Sequence, residues 1–228
     1  MKKLILLLMM GLFLSCSTSY EDENTSTAEI TGSQKLVNPK NGTIIVGTQK
    51  WMVKNLNVSN YRNGDVIPQV TDATEWASLT TGAWCYYDND PANGSVYGKI
   101  YNWYAVNDPR GLAPNGYHIP TYTEWTTLID YLGGAIIAAG AMKETGIAHW
   151  NSPNIATNSS GLTFLGGGFR YDYGLFAFKG AYCDWWVSPE ANASETRLFY
   201  MVNSSDNIYN TTVPNNNTHG LYVRCIKN

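Results

Sequence analysis

The chain has 228 residues, of which 44% are hydrophobic, 13% aromatic and 14% charged, and its formal net charge is −3. An aromatic-rich chain with this small charge is not disordered throughout, and so few charged residues exclude a coiled coil. The high content of Trp, Tyr and Gly favours short strands and loops. The slightly acidic balance argues against nucleic acid as a partner.

The N-terminus has the pattern of a bacterial signal peptide, which we place at residues 1–15. Two lysines precede an apolar run at 4–14 that is too short to span a bilayer. Cys16 follows directly and the junction resembles a lipobox, although Phe13 stands where an aliphatic residue is usual. We expect cleavage before Cys16 and diacylation of its thiol, which would anchor the protein in a membrane. The alternative is an ordinary secretory signal with an incidental cysteine.

Residues 16–35 are polar and are predicted to be a flexible tether. The acidic run Glu21–Glu23 resembles the patch that follows the anchor in lipoproteins of Bacteroidetes-type bacteria, where it marks export to the outer face of the outer membrane. We therefore expect a lipid-anchored protein of the outer membrane, exposed at the cell surface. The alternatives are a simple soluble linker and a periplasmic orientation. From residue 36 to 228 no linker interrupts the chain, which predicts one domain.

The first half of this domain predicts short strands separated by loops. Thr43–Val46 and Trp51–Leu56 are expected to form a hairpin around a Gly-Thr turn, and a further strand is expected near residues 84–87. The run Gly98–Val106 fits a buried strand or a short helix, and periodicity alone does not distinguish them.

The strongest helix signal begins at Thr121. This residue and Glu124 have the spacing of a capping box, in which each side chain satisfies a backbone N–H at the helix start. Gly133 and Gly134 predict its end. A second short helix is expected at 136–143. Apolar residues at i, i+3, i+4 and i+7 form one stripe on the first helix: Trp125, Leu128, Ile129 and Leu132.

After residue 159 the pattern becomes that of a β-protein. Two helices followed by a series of strands predict an α+β fold. Short strands separated by Gly, Asn and Ser turns are expected at six places: 162–164, 168–171, 175–178, 184–187, 197–202 and 222–226. The glycines at 166–168 are not followed by a helix pattern, so we expect close strand packing rather than a phosphate-binding loop.

Few residues have a spacing that predicts chemistry. Cys85, Cys183 and Cys225 remain besides Cys16, and although spacing does not fix their connectivity, a Cys183–Cys225 disulfide is preferred for an exported protein. No C-x-x-C or clustered histidine predicts a metal, and we expect no cofactor. His118 is expected to make structural hydrogen bonds. No motif of a nucleophile or paired acid and base predicts an enzyme.

Several collinear segments carry a family resemblance: QKWMVKNL (49–56), YGKIYNWYAV (97–106), RGLAPNGYHIPT (110–121), EW (124–125), ATNSSG (156–161), GGFR (167–170), WW (185–186) and VRC (223–225). The chain resembles the Fibrobacter succinogenes major paralogous domain family. It departs at Ala113 and Tyr117, where that family commonly has Cys and Trp. Structural roles are expected for the following residues: His118, Thr121, Glu124, Trp125, Arg170 and Arg224.

More distantly, this family is similar to C-type-lectin-like domains, a group that includes formylglycine-generating enzymes. The resemblance implies an α+β domain with two helices, a twisted antiparallel sheet of short strands, and paired N- and C-terminal strands. It implies no established activity. The enzymes' active cysteine pair has a local motif that Cys183 and Cys225 lack, and the Glu-Pro-Asn and Trp-Asn-Asp calcium signatures are absent.

The C-terminal third combines rigid aromatic rings with adaptable amides, a composition typical of recognition surfaces. We therefore expect a non-catalytic, surface-anchored module that binds a glycan or a protein. Because adjacent strand residues face opposite ways, one of Trp185 and Trp186 is expected to contact ligand and the other the core. The residues expected to bind ligand are Tyr171, Tyr173, Phe176, Tyr182, Trp185, Trp186, Asn203 and Asn207.

Two alternatives to the binding module are retained. One is a structural or assembly subunit of a cell-surface complex or appendage. The other is a cryptic enzyme of the formylglycine-generating-like group, which a deep cleft holding Cys183 beside a base, or two facing carboxylates, would favour.

Overall fold

The computed structural model describes residues 37–38, 42–188, 192, 194–215 and 218–228. The predicted signal peptide, Cys16 and the tether at 16–35 lie outside the described residues. The described residues form a mixed fold of short helices and strands, in which antiparallel sheet predominates. Among these residues, no helix is long and apolar enough to cross a bilayer.

The strands of the described residues form three sheets. The first has the order β1 (Val37–Asn38), β2 (Thr43–Val46), β3 (Gln49–Met52), β13 (Ile226–Lys227) and β6 (Tyr117–His118). The second has the order β4 (Trp84–Cys85), β5 (Ile100–Asn102), β12 (Gly220–Leu221), β7 (Phe169–Arg170) and β8 (Phe176–Ala177). The third has the order β11 (Ile208–Pro214), β10 (Glu195–Val202) and β9 (Tyr182–Trp186).

The helices are short. They are α1 (Ala73–Ala77), α2 (Pro91–Tyr97), α3 (Trp103–Val106), α4 (Tyr122–Tyr131) and α5 (Ala138–Met142), with a 3₁₀ turn at Tyr87–Asn89. The two helices predicted from sequence correspond to α4 and α5, so the expectation of two helices understates the helical content. The run 98–106, for which the sequence allowed either a strand or a short helix, contains both. Asn102 ends strand β5, and its Oδ1 accepts the N–H of Ala105 and so caps the start of helix α3.

The capping box of α4 is confirmed. The Thr121 hydroxyl accepts the N–H of Glu124 at 3.2 Å, and the Glu124 carboxylate accepts the N–H of Thr121 at 2.8 Å. At the other end, Gly134 has a φ of 97° and its N–H bonds the Ile129 carbonyl. The helix therefore ends where the sequence predicts.

The C-terminal strand pairs with the second strand of the N-terminal hairpin. Ile226 of β13 is in register with Trp51 of β3 on one side and with His118 of β6 on the other. The C-terminal strand is thus an interior strand of the first sheet.

The strand predictions in the C-terminal half are correct in part. The segment 162–164 forms no strand and contributes only a bridge from Phe164 to Lys143. The strand β11 was absent from the prediction, because its centre is made of exposed polar residues that read as a loop. The glycines at 166–168 permit the close packing expected of them, since a Cβ on Gly167 would lie 2.7 Å from the Tyr222 ring.

The core has two clusters, which β9 separates. Trp51, Trp125, Phe164 and Trp185 belong to the first, which we call the Trp125 core. The second, the Trp103 core, contains the following residues among others: Trp84, Tyr101, Trp103, Trp186 and Leu221. Strand β9 pairs with β10 along one edge and bridges to Tyr222 along the other. Its two faces are covered because Trp185 packs in the first cluster and Trp186 in the second.

The structure contradicts two predictions in this region. Neither Trp185 nor Trp186 can contact ligand, since both are fully buried, one in each cluster. The predicted disulfide is also wrong, since Cys183 and Cys225 are free thiols that belong to different clusters. In both cases the physical reason is that β9 lies between two cores rather than on the surface of one sheet.

Candidate ligand-binding cleft

An open aromatic cleft lies between the third sheet and the β7–β8 hairpin. Its volume is about 360 Å³. The third sheet contributes one face of β9 and β10. Tyr182 and Asp184 lie on the same face of β9, opposite to that of Cys183, and Tyr200 of β10 is the pairing partner of Asp184 on that face. The lining residues are Phe169, Tyr171, Phe178, Tyr182, Asp184, Leu198, Tyr200, Thr211, Val213 and His219.

Aromatic rings form a continuous band along the cleft, in which each ring contacts the next. From the hairpin, Phe169 stacks on Phe178 at 5.7 Å between centroids, and Phe178 contacts Tyr182 at 5.0 Å. On the sheet, Tyr182 lies 6.3 Å from Tyr200, which stacks on Tyr209 at 5.1 Å. These contacts join the two walls and hold the rings in fixed positions.

The hairpin wall depends on an unusual backbone conformation at Phe178. This residue has a φ of 64°, a region that a bulky side chain rarely occupies. Its ring is nevertheless 47% exposed and faces the cleft. Strain of this kind persists where surrounding structure enforces it, and it concentrates at binding sites.

Arg170 ties the same hairpin to the rest of the fold. Its guanidinium is fully buried and donates to the carbonyls of Gly174, Val70, Thr71 and Asp72 at 2.8–3.2 Å. The hydrogen bond to Gly174 holds the turn of the β7–β8 hairpin against the loop before α1. Arg170 therefore links the hairpin to the segment at 70–72 through its side chain.

The carboxyl of Asp184 is the one acidic group among the described residues that line the cleft. Only 9% of the residue is exposed, and its Oδ1 has no hydrogen-bond partner among the described residues. Burial raises the pKa of Asp184 to about 8, so the side chain is mostly protonated at neutral pH. An isolated buried carboxyl is costly, which makes this group a candidate for contact with a ligand.

Two other groups that line the cleft, His219 and Tyr200, have pKa values that burial shifts in favour of the neutral form. Burial lowers the pKa of His219, which the nearby Asp172 opposes, and burial also raises the pKa of Tyr200. The cleft therefore presents apolar rings and uncharged polar groups, with one carboxyl that can become negative.

Some of the residues predicted to bind ligand lie at the cleft, and others lie away from it. Tyr171 and Tyr182 line the cleft, and Tyr173 stacks on Tyr171 at 4.7 Å beside it. Phe176 instead packs on Tyr87 at 5.2 Å, and the Arg170 guanidinium lies over its ring.

Asn203 and Asn207 do not line the cleft. Both belong to the turn between β10 and β11, where Asn203 donates to the Asn151 carbonyl and the N–H of Asn207 bonds Ser205. The residues that sequence reasoning missed include Asp184 and Tyr200. In the sequence, Asp184 follows Cys183 and Tyr200 follows Phe199, so each pair occupies opposite faces of its strand. The sequence does not tell which of these faces is open to solvent.

The other residues for which we expect structural roles lie outside the cleft. His118 bonds Glu124 and Asn228, each at 2.7 Å, and Trp125 is fully buried. Arg224 is buried over the Phe164 ring, and its Nε donates to Asn55 at 3.0 Å. Burial lowers the pKa of Arg224.

A second depression of similar volume contains an ion pair. It is lined in part by Asp108 and Arg110, whose side chains form an ion pair at 2.8 Å. Arg110 also bonds Asp65 and lies over the Tyr61 ring. Within the described part of the chain, no group of three or more His, Cys, Asp or Glu residues is placed to hold a metal ion.

Comparison with known proteins identifies the family. Residues 44–227 match the sequence model of the Fibrobacter succinogenes major domain. The chain belongs to this family. The match covers every described element from β3 to β13, so the aromatic cleft lies within the Fibrobacter succinogenes major domain. No curated protein and no solved structure matches the chain.

Proposed function

We propose that this protein is a cell-surface lipoprotein whose Fibrobacter succinogenes major domain binds a saccharide in the aromatic cleft without transforming it. The observation that carries the proposal is the band of rings from Phe169 to Tyr200 beside the buried carboxyl of Asp184. Sugar rings pack against aromatic side chains, and their hydroxyls supply the hydrogen bonds that a protonated carboxyl requires.

The size of the cleft favours a saccharide over a protein. A concave site of about 360 Å³ is in the range of small-molecule sites. A stable protein interface buries roughly 800 Å² on each partner and needs a broader surface. Binding of a protein in the cleft is therefore the alternative that the experiment must exclude.

The chemistry of the cleft supports binding rather than catalysis. Asp184 is the one carboxyl among the described residues that line it, whereas most glycoside hydrolases use two. Cys183 is fully buried and its pKa is raised by burial, so its thiol is not an activated nucleophile. These properties argue against the alternative of a formylglycine-generating-like enzyme.

The location and the more distant relationship belong to the same proposal. The basic pair, apolar run and Cys16 support lipid anchoring, and the acidic run at 21–23 supports export to the outer face of the outer membrane. The pairing of the C-terminal strand β13 with β3 of the N-terminal hairpin, and the mixed α and β content, support a C-type-lectin-like domain.

The binding test uses the full-length protein in detergent on a glycan array, with a pull-down from surface extracts in parallel. We expect saccharide binding that is reduced at least tenfold by Tyr182→Ala and Tyr200→Ala. Tyr131→Ala is the matched control, because that ring is 64% exposed on α4 and does not line the cleft. A folded sample that binds no saccharide, or whose binding ignores the cleft variants, would refute the proposal.

The location test labels cells with a fatty acid analogue and treats intact cells with protease. We expect acylation that Cys16→Ser abolishes, and cleavage of the protein at the surface. An unacylated wild-type protein, or one protected until the outer membrane is broken, would contradict this part.

Exposed isoleucines favour a second candidate function, an assembly surface. Ile136, Ile137, Ile147 and Ile155 are each about half exposed or more within one stretch of sequence. Crosslinking of intact cells that traps a stable complex through this stretch, together with failure of the cleft to bind saccharide, would favour an assembly subunit.

A further inference from the structure

The aromatic cleft contains an acidic group without a positive partner. Within the described residues, neither Lys nor Arg lines the cleft, and no hydrogen-bond partner lies within reach of Asp184 Oδ1. Three buried charged side chains elsewhere in the fold do have hydrogen-bond partners. Lys143 donates to three backbone carbonyls, and Arg170 and Arg224 likewise bond backbone carbonyls.

Two features of the cleft favour a positive ligand group. A buried carboxylate requires a cation or a proton to compensate it. Aromatic rings attract cations through the negative charge on their faces, and they do so most strongly where water is excluded. Tyr200 stands directly opposite Asp184 on β10, and Tyr182 lies two residues before it on β9, so the rings and the carboxyl share one surface.

We propose that the cleft binds a ligand carrying an ammonium group, with Asp184 as its counter-ion. The proposal rests on the saccharide-binding function above and, together with it, makes the ligand an amino sugar with a free amine. The Tyr182 and Tyr200 rings contact the face of the sugar and the ammonium group, while the carboxylate pairs with its charge.

Binding of this kind requires Asp184 to lose its proton. Because its pKa is raised to about 8, the affinity for a permanent cation rises about tenfold per pH unit below that value and levels off above it. The titratable groups facing Asp184 from the neighbouring elements are Tyr171, Tyr182, Tyr200 and His219. Burial lowers the pKa of His219, so it is mainly neutral above pH 6.5 and adds no opposing trend.

The experiment measures binding of matched probe pairs to the full-length protein in detergent by calorimetry between pH 6.5 and pH 9. Choline is compared with 3,3-dimethylbutan-1-ol, which has the same shape without the charge. Glucosamine is compared with N-acetylglucosamine, in which acetylation removes the charge. We expect choline to bind at least tenfold more tightly than its neutral analogue at pH 8, and its affinity to rise more than tenfold across the range. We expect glucosamine to bind more tightly than N-acetylglucosamine at pH 7, where its amine is still mostly protonated.

Asp184→Asn keeps the size of the side chain and removes the charge. We expect this variant to lose at least tenfold in choline affinity and to lose the pH dependence. Asp130→Asn, on the exposed face of α4, is the control and should leave both unchanged. The far-ultraviolet circular dichroism spectrum of each variant establishes that it is folded.

The outcomes separate the two proposals. Equal binding of charged and neutral probes, or unchanged choline affinity in Asp184→Asn, would overturn the ammonium inference, and the saccharide proposal would stand if N-acetylglucosamine binding still required Tyr200. Choline binding that depends on Asp184, without binding of either sugar, would support the ammonium site and refute the saccharide proposal. An affinity for choline that falls as the pH rises would also overturn the inference.

Discussion

The indole rings of Trp185 and Trp186 lie on opposite faces of β9, and each fills a different half of the core. Trp185 contacts Phe164 at 4.6 Å and donates to Asn55, whereas Trp186 contacts Trp103 at 5.3 Å and donates to the Tyr101 carbonyl. The pair therefore couples the two clusters through one short strand.

Replacement of Trp186 should destabilise the protein strongly. Trp186→Ala leaves a large cavity in the Trp103 core, and we expect a loss of about 3–5 kcal/mol in the free energy of unfolding. Chemical denaturation followed by fluorescence measures this loss. Tyr131→Ala, at an exposed position on α4, should change the same quantity by less than about 0.5 kcal/mol. A loss below about 1 kcal/mol for Trp186→Ala would contradict the packing described.

Asp184 should make the protein less stable as the pH rises. Its pKa is about 3.8 as a free side chain and about 8 in the fold, so between these values the folded state binds more protons than the unfolded state. The stability that this difference contributes is complete below pH 3.8 and is lost as the pH rises through 8, by up to about 1.4 kcal/mol per unit.

Asp184→Asn should remove this dependence. We therefore expect the variant to gain stability over the wild type by a few kcal/mol between pH 5 and pH 8, as measured by urea denaturation at each pH. Parallel stability curves for variant and wild type would show that the carboxyl titrates normally. Asp130→Asn is again the appropriate control, because that side chain is exposed.

Lys143 should be essential for the turn between β10 and β11. Its Nζ donates to the carbonyls of Val202, Asn203 and Ser205 at 2.8–2.9 Å, and the residue is fully buried. Lys143→Met keeps most of the volume but leaves these carbonyls unpaired, and we expect a cost of about 2–4 kcal/mol.

The effect of Lys143→Met should be local as well as global. Hydrogen exchange of the backbone amides around residues 202–208 should accelerate more than that of α4. Lys54→Met, at an exposed lysine, is the matched control and should change neither measurement. Unchanged exchange in the turn of Lys143→Met would contradict the role assigned to the lysine.

The three described cysteines should be unreactive thiols in the native protein. Burial raises the pKa of Cys85 and Cys225 to about 12 and that of Cys183 well above its usual value. We expect no alkylation of these residues by iodoacetamide in the folded protein and complete alkylation after unfolding without a reductant. A disulfide among them, detected by mass spectrometry, would contradict the structure.

The sequence predicted local features well because the interactions that produce them are close in the chain. The capping box at Thr121 and Glu124 requires only a spacing of three residues, and the β2–β3 hairpin only a short turn. The burial of both Trp185 and Trp186 requires knowing that β9 is covered on two sides by segments far apart in sequence. No local pattern contains that information.

The same distinction explains the incomplete prediction of the cleft. Tyr171 and Tyr182 are recognisable as aromatic residues near turns. Asp184 is an ordinary acidic residue in the sequence, and its significance comes from strand pairing with Tyr200 and from the β7–β8 hairpin that buries it. Asn203 and Asn207 resemble the amides of recognition loops, but they stabilise a turn away from the cleft.

The position of β13 has a consequence for biogenesis. Because Ile226 lies between Trp51 and His118, the first sheet is incomplete until β13 has been synthesised and has paired with both neighbouring strands. Without β13, strand β6 has no partner in this sheet and β3 is paired only with β2. Late completion of the sheet would keep the polypeptide unfolded for longer. This suits a protein whose N-terminal sequence predicts export through a translocation channel before folding.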